Sequence, residues 1–137
     1  MIVLATTRRQ GLSDAVKIIN PPEMVRWNLH KRYLIDLQDA GVPVVPTRLL
    51  PIGAGPEDLV RCLDDLSCQK FVIKPAVSAG SWLTHFFHVD DLLQAKEFIS
   101  KNGSDRDWLI QPYISSVESG GERANVYLGG EWSHCVV

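Results

Sequence analysis

Apolar residues recur along this chain at two different spacings, which predict a mixture of helices and strands. Spacings near three and four are typical of amphipathic helices, and they predict helices over residues 24–40, 57–66 and 89–101. Short apolar runs bounded by proline, glycine or polar residues predict strands over residues 17–19, 42–45, 71–73, 83–88 and 108–111. Two more strands, over residues 123–128 and 132–137, flank Gly129-Gly130, and this arrangement predicts a β-hairpin.

Residues that start or stop elements refine these boundaries. Asn20 is a good helix N-cap, and Glu23 three residues later resembles a capping box. Asn28 could cap a second helix, so the region before Gly41 forms either one helix or two. Residues 49–56 contain two prolines and two glycines and are interpreted as a loop. Pro112 has no N–H group, which favours an edge strand over a central one.

Composition places the chain in an ordinary globular class. The 137 residues fit one domain, with 45% hydrophobic and 22% charged residues. The net charge of −2 gives no basic excess, so nucleic acid is not expected as a partner. No apolar run approaches the roughly 18 residues that span a membrane, and the run at residues 1–5 is interpreted as a strand. We therefore expect a cytoplasmic protein with no membrane partner and an α/β fold, α+β-like, with local antiparallel pairing.

Cysteine and histidine spacings indicate neither a metal site nor a catalytic triad. Cys62, Cys68 and Cys135 are odd in number and contain no C-x-x-C pair, so they are interpreted as reduced thiols. His85 and His88 lie three positions apart on a predicted strand, where side chains face opposite sides. Metal ligands are therefore predicted to be absent from this chain, and no catalytic side chain is assigned.

Three segments carry candidate binding chemistry, each with an ordinary structural alternative. Lys74 ends an apolar strand and precedes a loop of small residues over 76–81, whose N–H groups could cradle phosphate oxygens. Taken alone, this segment is more often a surface lysine at a tight turn. Gln111 and the residues up to Ile114 offer an amide and apolar walls suited to adenine, or form an ordinary strand end. Glu122 could accept from sugar hydroxyls or be a solvated charge.

Read together, the motifs of this chain form an ordered series. The series comprises Asn20-Pro21-Pro22, Trp27-Asn28-Leu29-His30-Lys31, Gly41-Val42-Pro43-Val44-Val45-Pro46-Thr47, Val72-Ile73-Lys74-Pro75, Leu109-Ile110-Gln111-Pro112-Tyr113-Ile114, Gly121-Glu122-Arg123 and Gly130-Glu131-Trp132-Ser133-His134-Cys135-Val136. In this order the chain resembles the ATP-grasp superfamily, within its glutathione-synthetase-like branch that includes the cycloserine-biosynthesis type. The resemblance runs from about residue 18 to residue 137.

The resemblance implies a phosphate-binding role for two lysines and a loop. Lys31 matches the helix lysine that reaches the nucleotide phosphates, and Lys74 matches the strand lysine on the α-phosphate and adenine side. The mobile loop that closes over the β- and γ-phosphates is matched by Ser78, Ala79, Gly80 and Ser81. Two fixed cations and an amide-lined loop suit a nucleotide triphosphate.

The resemblance also implies contacts to the nucleoside. Gln111 matches the residue that accepts a hydrogen bond from the adenine amino group. Tyr113 and Ile114 match the hinge whose backbone meets the edge of the ring, and Glu122 matches the carboxylate that holds the ribose hydroxyls.

At the level of the whole family, the resemblance implies a carboxylate–amine ligase. ATP phosphorylates a small carboxylate substrate, and the acyl phosphate is attacked by the amine, so catalysis relies on positioning and charge stabilisation. Family members use Mg²⁺, whose ligands, an acidic residue and a Glu-x-Asn pair, lie beyond the strand that ends this chain. We therefore expect an ATP-grasp region that is incomplete at both ends.

The same resemblance predicts three regions. Residues 1–41 form an N-terminal strand and helix leading into the ATP-grasp region, residues 42–105 form the small lid subdomain, and residues 106–137 form the hinge and the first strands of the larger subdomain.

The alternative function is a non-catalytic nucleotide-binding or protein-interaction module. An unfinished sheet would leave an edge at the strand over residues 132–137, and exposed edges tend to pair with another chain. This interpretation predicts a homo-oligomer, and the absence of ATP-analogue binding would favour it.

We predict that the 137-residue chain alone does not turn over ATP as a ligase, because the resemblance leaves the Mg²⁺ ligands outside it. The measurement is ADP release by the purified chain with ATP, Mg²⁺ and a panel of small carboxylates and amines. Carboxylate-dependent release at an ordinary enzymatic rate would show this prediction to be wrong.

Overall fold

A computed structural model describes residues 21–103 and 105–137. The strands predicted over residues 1–5 and 17–19, and the Asn20 cap, lie outside the described residues. In chain order the described elements are helix α1 (Pro22–Leu29), α2 (Tyr33–Asp39), strand β1 (Arg48–Leu50), α3 (Pro56–Leu66), β2 (Lys70–Pro75), β3 (His85–His88), a 3₁₀ turn (Val89–Asp91), α4 (Leu92–Asn102), β4 (Trp108–Pro112), α5 (Ser116–Gly120), β5 (Ala124–Leu128) and β6 (Glu131–Val136).

The region before Gly41 forms two helices, which confirms one of the two predicted alternatives. The break falls at residues 30–32, and Arg32 precedes α2 in place of the predicted cap Asn28. Pro21 is the N-cap of α1 and Pro22 occupies its first position, where the missing N–H group costs nothing. Gly41 follows α2 with a φ of +77°, a conformation that glycine adopts readily after a helix. None of the described helices is long and apolar enough to cross a bilayer.

Four antiparallel strands form the main sheet in the order β1-β4-β2-β3. The interpretation of Pro112 as an edge residue is wrong, because β4 is a central strand between β1 and β2. Pro112 is the last residue of β4, and the next hydrogen bond of the ladder comes from Tyr113, whose N–H group donates to the Lys70 carbonyl at 2.9 Å. Strands β1, β2 and β3 precede residue 105 and β4 follows it, so the sheet includes residues on both sides of the predicted boundary at residue 105.

The prediction of a strand over residues 42–45 is also wrong. This segment pairs with no described strand, and the nearest strand, β1, begins at Arg48. Pro43 and Pro46 lack the N–H groups that a ladder needs, and the Thr47 N–H group donates to the Gln38 side chain at 3.0 Å. The loop predicted over residues 49–56 begins later than predicted, because residues 49 and 50 belong to β1 and Leu50 is buried.

The two faces of the main sheet have different roles. Strand side chains alternate between faces, and the core cluster contains Phe71 and Ile73 of β2 with Trp108 and Ile110 of β4. The same cluster includes side chains from α3 and α4, namely Leu59, Leu63 and Ala95. We call this helix-covered side the core face. The intervening residues of β2 and β4, namely Val72, Lys74, Leu109 and Gln111, belong to the opposite face, which we call the site face.

Strands β5 and β6 form a separate two-stranded sheet, which confirms the predicted hairpin. Gly129 and Gly130 both have positive φ angles, +62° and +89°, as a tight two-residue hairpin turn requires. Nearly all residues of both strands are exposed, including Tyr127 and Trp132.

Burial separates two leucines that are both on helices, which allows a matched test of the core. Leu59 on α3 is 1% exposed and Leu93 on α4 is 71% exposed. We expect Leu59→Ala to lower the free energy of unfolding by about 2–5 kcal/mol through lost burial and cavity formation. Leu93→Ala should change it by no more than about 0.5 kcal/mol. Equal effects in urea-induced unfolding would contradict the assigned core face.

Candidate functional site

Lys31 lies in the break between α1 and α2 and reaches the loop that follows β2. Its Nζ donates to the Ser78 carbonyl oxygen at 2.7 Å and to the Ser78 Oγ at 2.8 Å. Its backbone N–H group donates to the Ala76 carbonyl at 2.8 Å. Both the main chain and the side chain of Lys31 therefore contact the start of the loop. Ser78 lies 47 positions away in the sequence.

The loop over residues 76–81 is anchored at its first half and open at its second. The Ala76 N–H group donates to the Asp107 carbonyl at 2.8 Å, and the Ser78 hydroxyl donates to the Pro75 carbonyl at 3.2 Å. Ala79, Gly80 and Ser81 are exposed, with φ angles of +60° at Gly80 and +56° at Ser81. A positive φ is uncommon for serine, so the loop tip contains one residue, Ser81, in a sparsely populated backbone conformation.

Lys74 was predicted to end its strand, and it lies in β2 one residue before the last residue, Pro75. Partial burial lowers the pKa of the Lys74 ammonium, and the nearby Glu122 carboxylate opposes that shift. Burial likewise lowers the pKa of Lys31, and the positive charge of Lys74 lowers it further. The structure therefore brings Lys31, Lys74, Ser78 and Glu122 into one electrostatic neighbourhood on the site face, with Glu122 at its exposed side.

Gln111 shares the site face but is 7% exposed. It pairs with Val72 across the β2–β4 ladder, and its Nε2 donates to the Thr47 Oγ1 at 2.7 Å. The Thr47 hydroxyl in turn donates to the Val45 carbonyl at 2.7 Å. This chain of hydrogen bonds fixes the side-chain amide, so that its carbonyl Oε1 is the atom left to meet a ligand.

A network around Tyr113 was not predicted from the sequence. The Tyr113 hydroxyl donates to the Glu118 carboxylate, and the Lys70 Nζ lies 3.6 Å from that carboxylate and 3.8 Å from the Tyr113 ring centroid. The Phe86 ring also contacts the ammonium, with its centroid 4.4 Å from Nζ and 5.4 Å from the Tyr113 ring centroid. The hydrogen bond raises the pKa of Tyr113 and lowers that of Glu118. Ile114, the second predicted hinge residue, is exposed.

The described residues do not fit a magnesium site. Among residues 21–103 and 105–137, no three His, Cys, Asp or Glu side chains are grouped so that they could hold a metal ion. His85 stacks on Phe98 at 5.4 Å, and His88 pairs with Asp90 at 3.0 Å. We therefore derive no chemical step through Mg²⁺.

Taken together, the site face presents cations at one end and neutral polar groups at the other. Two partly desolvated ammonium groups beside a small-residue loop attract an anion with several oxygens, because their mutual repulsion falls when negative charge lies between them. The Gln111 amide and the apolar Val72 lie on the same face and suit a flat ring with polar edges.

Comparison with known proteins agrees with this geometry. No family model matches the chain. The cycloserine biosynthesis protein DcsG of Streptomyces lavendulae is 32% identical over 134 residues, which cover 93% of this chain and 44% of that protein. The chain thus spans less than half the length of this curated relative.

Solved structures extend the comparison to the fold. The crystal structure of D-cycloserine synthetase DcsG matches with a TM-score of 0.79 and 30% identity, covering 97% of this chain and 46% of that one. A RimK domain ATP-grasp protein of Sphaerobacter thermophilus matches with a TM-score of 0.59 and 23% identity, covering 82% and 41%. The D-alanine–D-alanine ligase of Coxiella burnetii matches with a TM-score of 0.53 and 18% identity, covering 66% and 27%. The last two show a shared fold, and the predicted mixture of helices and antiparallel strands is confirmed.

The coupling between the two lysines generates a pH prediction. Folding lowers both pKa values below the ordinary lysine pKa of 10.5, so the unfolded chain binds more protons at pH values between each folded pKa and 10.5. Stability should therefore rise with pH across that window.

Lys74→Gln should raise the pKa of Lys31, measured by NMR titration of the lysine side chains. Lys101→Gln on α4 is the control, and an unchanged Lys31 pKa in Lys74→Gln would contradict the coupling.

Proposed function

We propose, from the premise that this chain is a partial ATP-grasp domain of the cycloserine-biosynthesis type, that it forms the nucleotide-binding part of an ATP-dependent ligase. The premise rests on the ordered motifs, the 32% identity to DcsG and the structural match over 97% of the chain. The observation that carries the proposal is the convergence of Lys31, Lys74 and the loop at Ser78 on one face of the sheet.

The phosphates of ATP would lie between the two ammonium groups and the loop. Lys31 now donates to two neutral oxygens of Ser78, and a charged phosphate oxygen is a stronger acceptor than either of them. A phosphate would therefore compete for Lys31 while the exposed N–H groups of the loop tip, at Ala79, Gly80 and Ser81, approach from the other side. Lys74 would contact the phosphate nearest the nucleoside.

The nucleoside would lie along the site face toward Tyr113. Since the Gln111 Nε2 donates to Thr47, the Oε1 of that side chain would accept from the adenine amino group. The backbone at Tyr113 and Ile114 would meet the edge of the ring. Glu122, whose charge acts on Lys74, would accept from the ribose hydroxyls.

For the whole protein we propose carboxylate–amine ligation through an acyl phosphate. The γ-phosphate would pass to a carboxylate oxygen, and an amine would then attack the acyl carbon and release inorganic phosphate. In such a sequence no side-chain nucleophile is needed, because positioning and stabilisation of the developing charge lower the barrier. The contribution of this chain would be to hold the phosphates by Lys31, Lys74 and the loop.

The second candidate function is the self-associating module predicted from the sequence. The exposure of both strands of the hairpin, including Trp132, is the observation that favours it. The comparisons favour the ligase, and nucleotide binding separates the two proposals.

We expect the chain to bind a non-hydrolysable ATP analogue, and we expect Lys31→Gln and Lys74→Gln each to weaken binding by about 10- to 100-fold. This range corresponds to the loss of one charge-assisted hydrogen bond of about 1.5–3 kcal/mol. Isothermal titration calorimetry measures the dissociation constants.

Lys101→Gln, an equal change of charge on the exposed end of α4, is the matched control and should leave the affinity within about twofold. Adenosine, which lacks phosphates, should bind the wild type and Lys31→Gln equally. If the wild type binds no analogue, or if the three lysine variants weaken binding equally, the proposal is wrong and the self-associating module gains support.

A further inference from the structure

We propose that a cavity on the core face of the sheet binds a small molecule that combines an apolar body with a carboxylate. The cavity has a volume of about 220 Å³ and lies between the loop at residues 51–55, the first turn of α3 and the last turns of α4. Nothing in the proposed nucleotide site uses it.

The floor of the cavity is apolar and well packed. It is lined by Leu50, Leu59 and Trp108, each no more than 2% exposed, with Ile99 of α4 at its side. The Trp108 indole N–H group already donates to the Gly103 carbonyl at 3.1 Å, so it places no unsatisfied donor in the cavity. Such a floor favours the apolar part of a ligand through burial.

The charged groups that line the cavity have a single sign. Lys96 and Arg106 both line it, and no Asp or Glu does. Within the part of the chain that the structure describes, Lys96 has no acidic partner at salt-bridge distance. Arg106 is already paired with Asp105 at 3.0 Å, so Lys96 supplies the uncompensated positive charge and Arg106 supplies hydrogen-bond donors to a carboxylate.

The Arg106 side chain has two partners in the absence of a ligand. Its guanidinium lies over the Trp82 ring, 5.1 Å from the centroid, and its Nε donates to the Asp105 Oδ1 at 3.0 Å. Among the described residues its two terminal nitrogens make no hydrogen bond. A planar guanidinium that is hydrogen-bonded through Nε and has two free terminal nitrogens is suited to bidentate contact with a carboxylate.

Gly103 permits this position of Arg106. Its φ of +134° is unusual for other residues, and a Cβ atom there would come within 2.7 Å of the Arg106 Nε and 2.4 Å of the Asp105 Oδ1. Any larger residue would therefore push both side chains away from the backbone. Glycine at this position connects the end of α4 to the geometry of the guanidinium.

The cavity is separate from the nucleotide site in space but has a contact with its loop. Leu50, Leu59 and Trp108 belong to the core face, whereas Lys74 and Gln111 belong to the site face. Trp82, which covers Arg106, directly follows the loop tip, and its N–H group donates to the Ala79 carbonyl at 3.3 Å. A carboxylate that contacts Arg106 would therefore lie near the phosphate loop without occupying it.

The test is an NMR titration of the 137-residue chain with benzoate, using the indole N–H signals of Trp108 and Trp82. We expect saturable shifts of both signals with benzoate and none with benzamide, which has the same shape but no charge. Arg106→Gln should raise the dissociation constant at least about tenfold, and Gly103→Ala should raise it through displacement of Arg106. Lys101→Gln on α4 is the charge-matched control and should change it less than about twofold.

Lys96→Gln is the second variant, because Lys96 lines the cavity but is not part of the core cluster. It should weaken benzoate binding severalfold even if Arg106→Gln folds poorly. The absence of saturable shifts, equal shifts with benzamide, or benzoate affinity unchanged in Lys96→Gln would overturn the proposal. Shifts of the Trp108 signal with protein concentration alone would also overturn it, since a second copy would then fill the cavity. Binding of the ATP analogue is measured separately, so either proposal can fail alone.

Discussion

The pairing of β2 with β4 is the constraint on which the rest of the structure depends. Its register places Ile73 opposite Ile110 and Lys74 opposite Leu109. Because successive side chains alternate between faces, burying Phe71 and Ile73 against the helices forces Lys74 onto the other side. A slip of one residue would exchange the faces and bury the ammonium under α3 and α4. The position of the cation is thus a consequence of how the core packs.

Asp107 transmits that register to the surrounding loops. It directly precedes β4, and its carbonyl accepts from the Ala76 N–H group at the start of the phosphate loop. Its carboxylate accepts from the Ile52 N–H group at 2.8 Å and pairs with the His30 ring at 3.1 Å. Asp107 therefore contacts the break between the first two helices, the loop beside the core-face cavity and the loop after β2. Both proposed sites are positioned from this point.

The parts of the fold that the sequence could predict are those that depend on neighbours along the chain. The helix over 57–66 follows from its own apolar period, and the hairpin follows from Gly129-Gly130. Pro112 was misjudged because a proline that ends a central strand has the same local sequence as one on an edge. For the candidate site, local patterns singled out Lys74 and its loop, and the order of motifs added Lys31. The Tyr113–Glu118–Lys70 network could not be predicted, because it joins separate elements through side chains.

Electrostatics explains why the end of the site face at Lys31 should select its ligand by charge. Lys31 donates two hydrogen bonds to neutral oxygens of Ser78. Among the residues that the structure describes, the charge that opposes the effect of burial on the Lys74 pKa is that of an exposed glutamate, Glu122. Neither ammonium is fully compensated, so the folded chain carries an unfavourable term that an anion between the lysines would relieve. Binding such an anion would raise both pKa values and take up protons at alkaline pH, whereas a neutral ligand would raise neither pKa. The opposite end, at Gln111 and Thr47, is uncharged and leaves one amide oxygen as an acceptor, so it can distinguish ligands by shape and by the direction of one hydrogen bond.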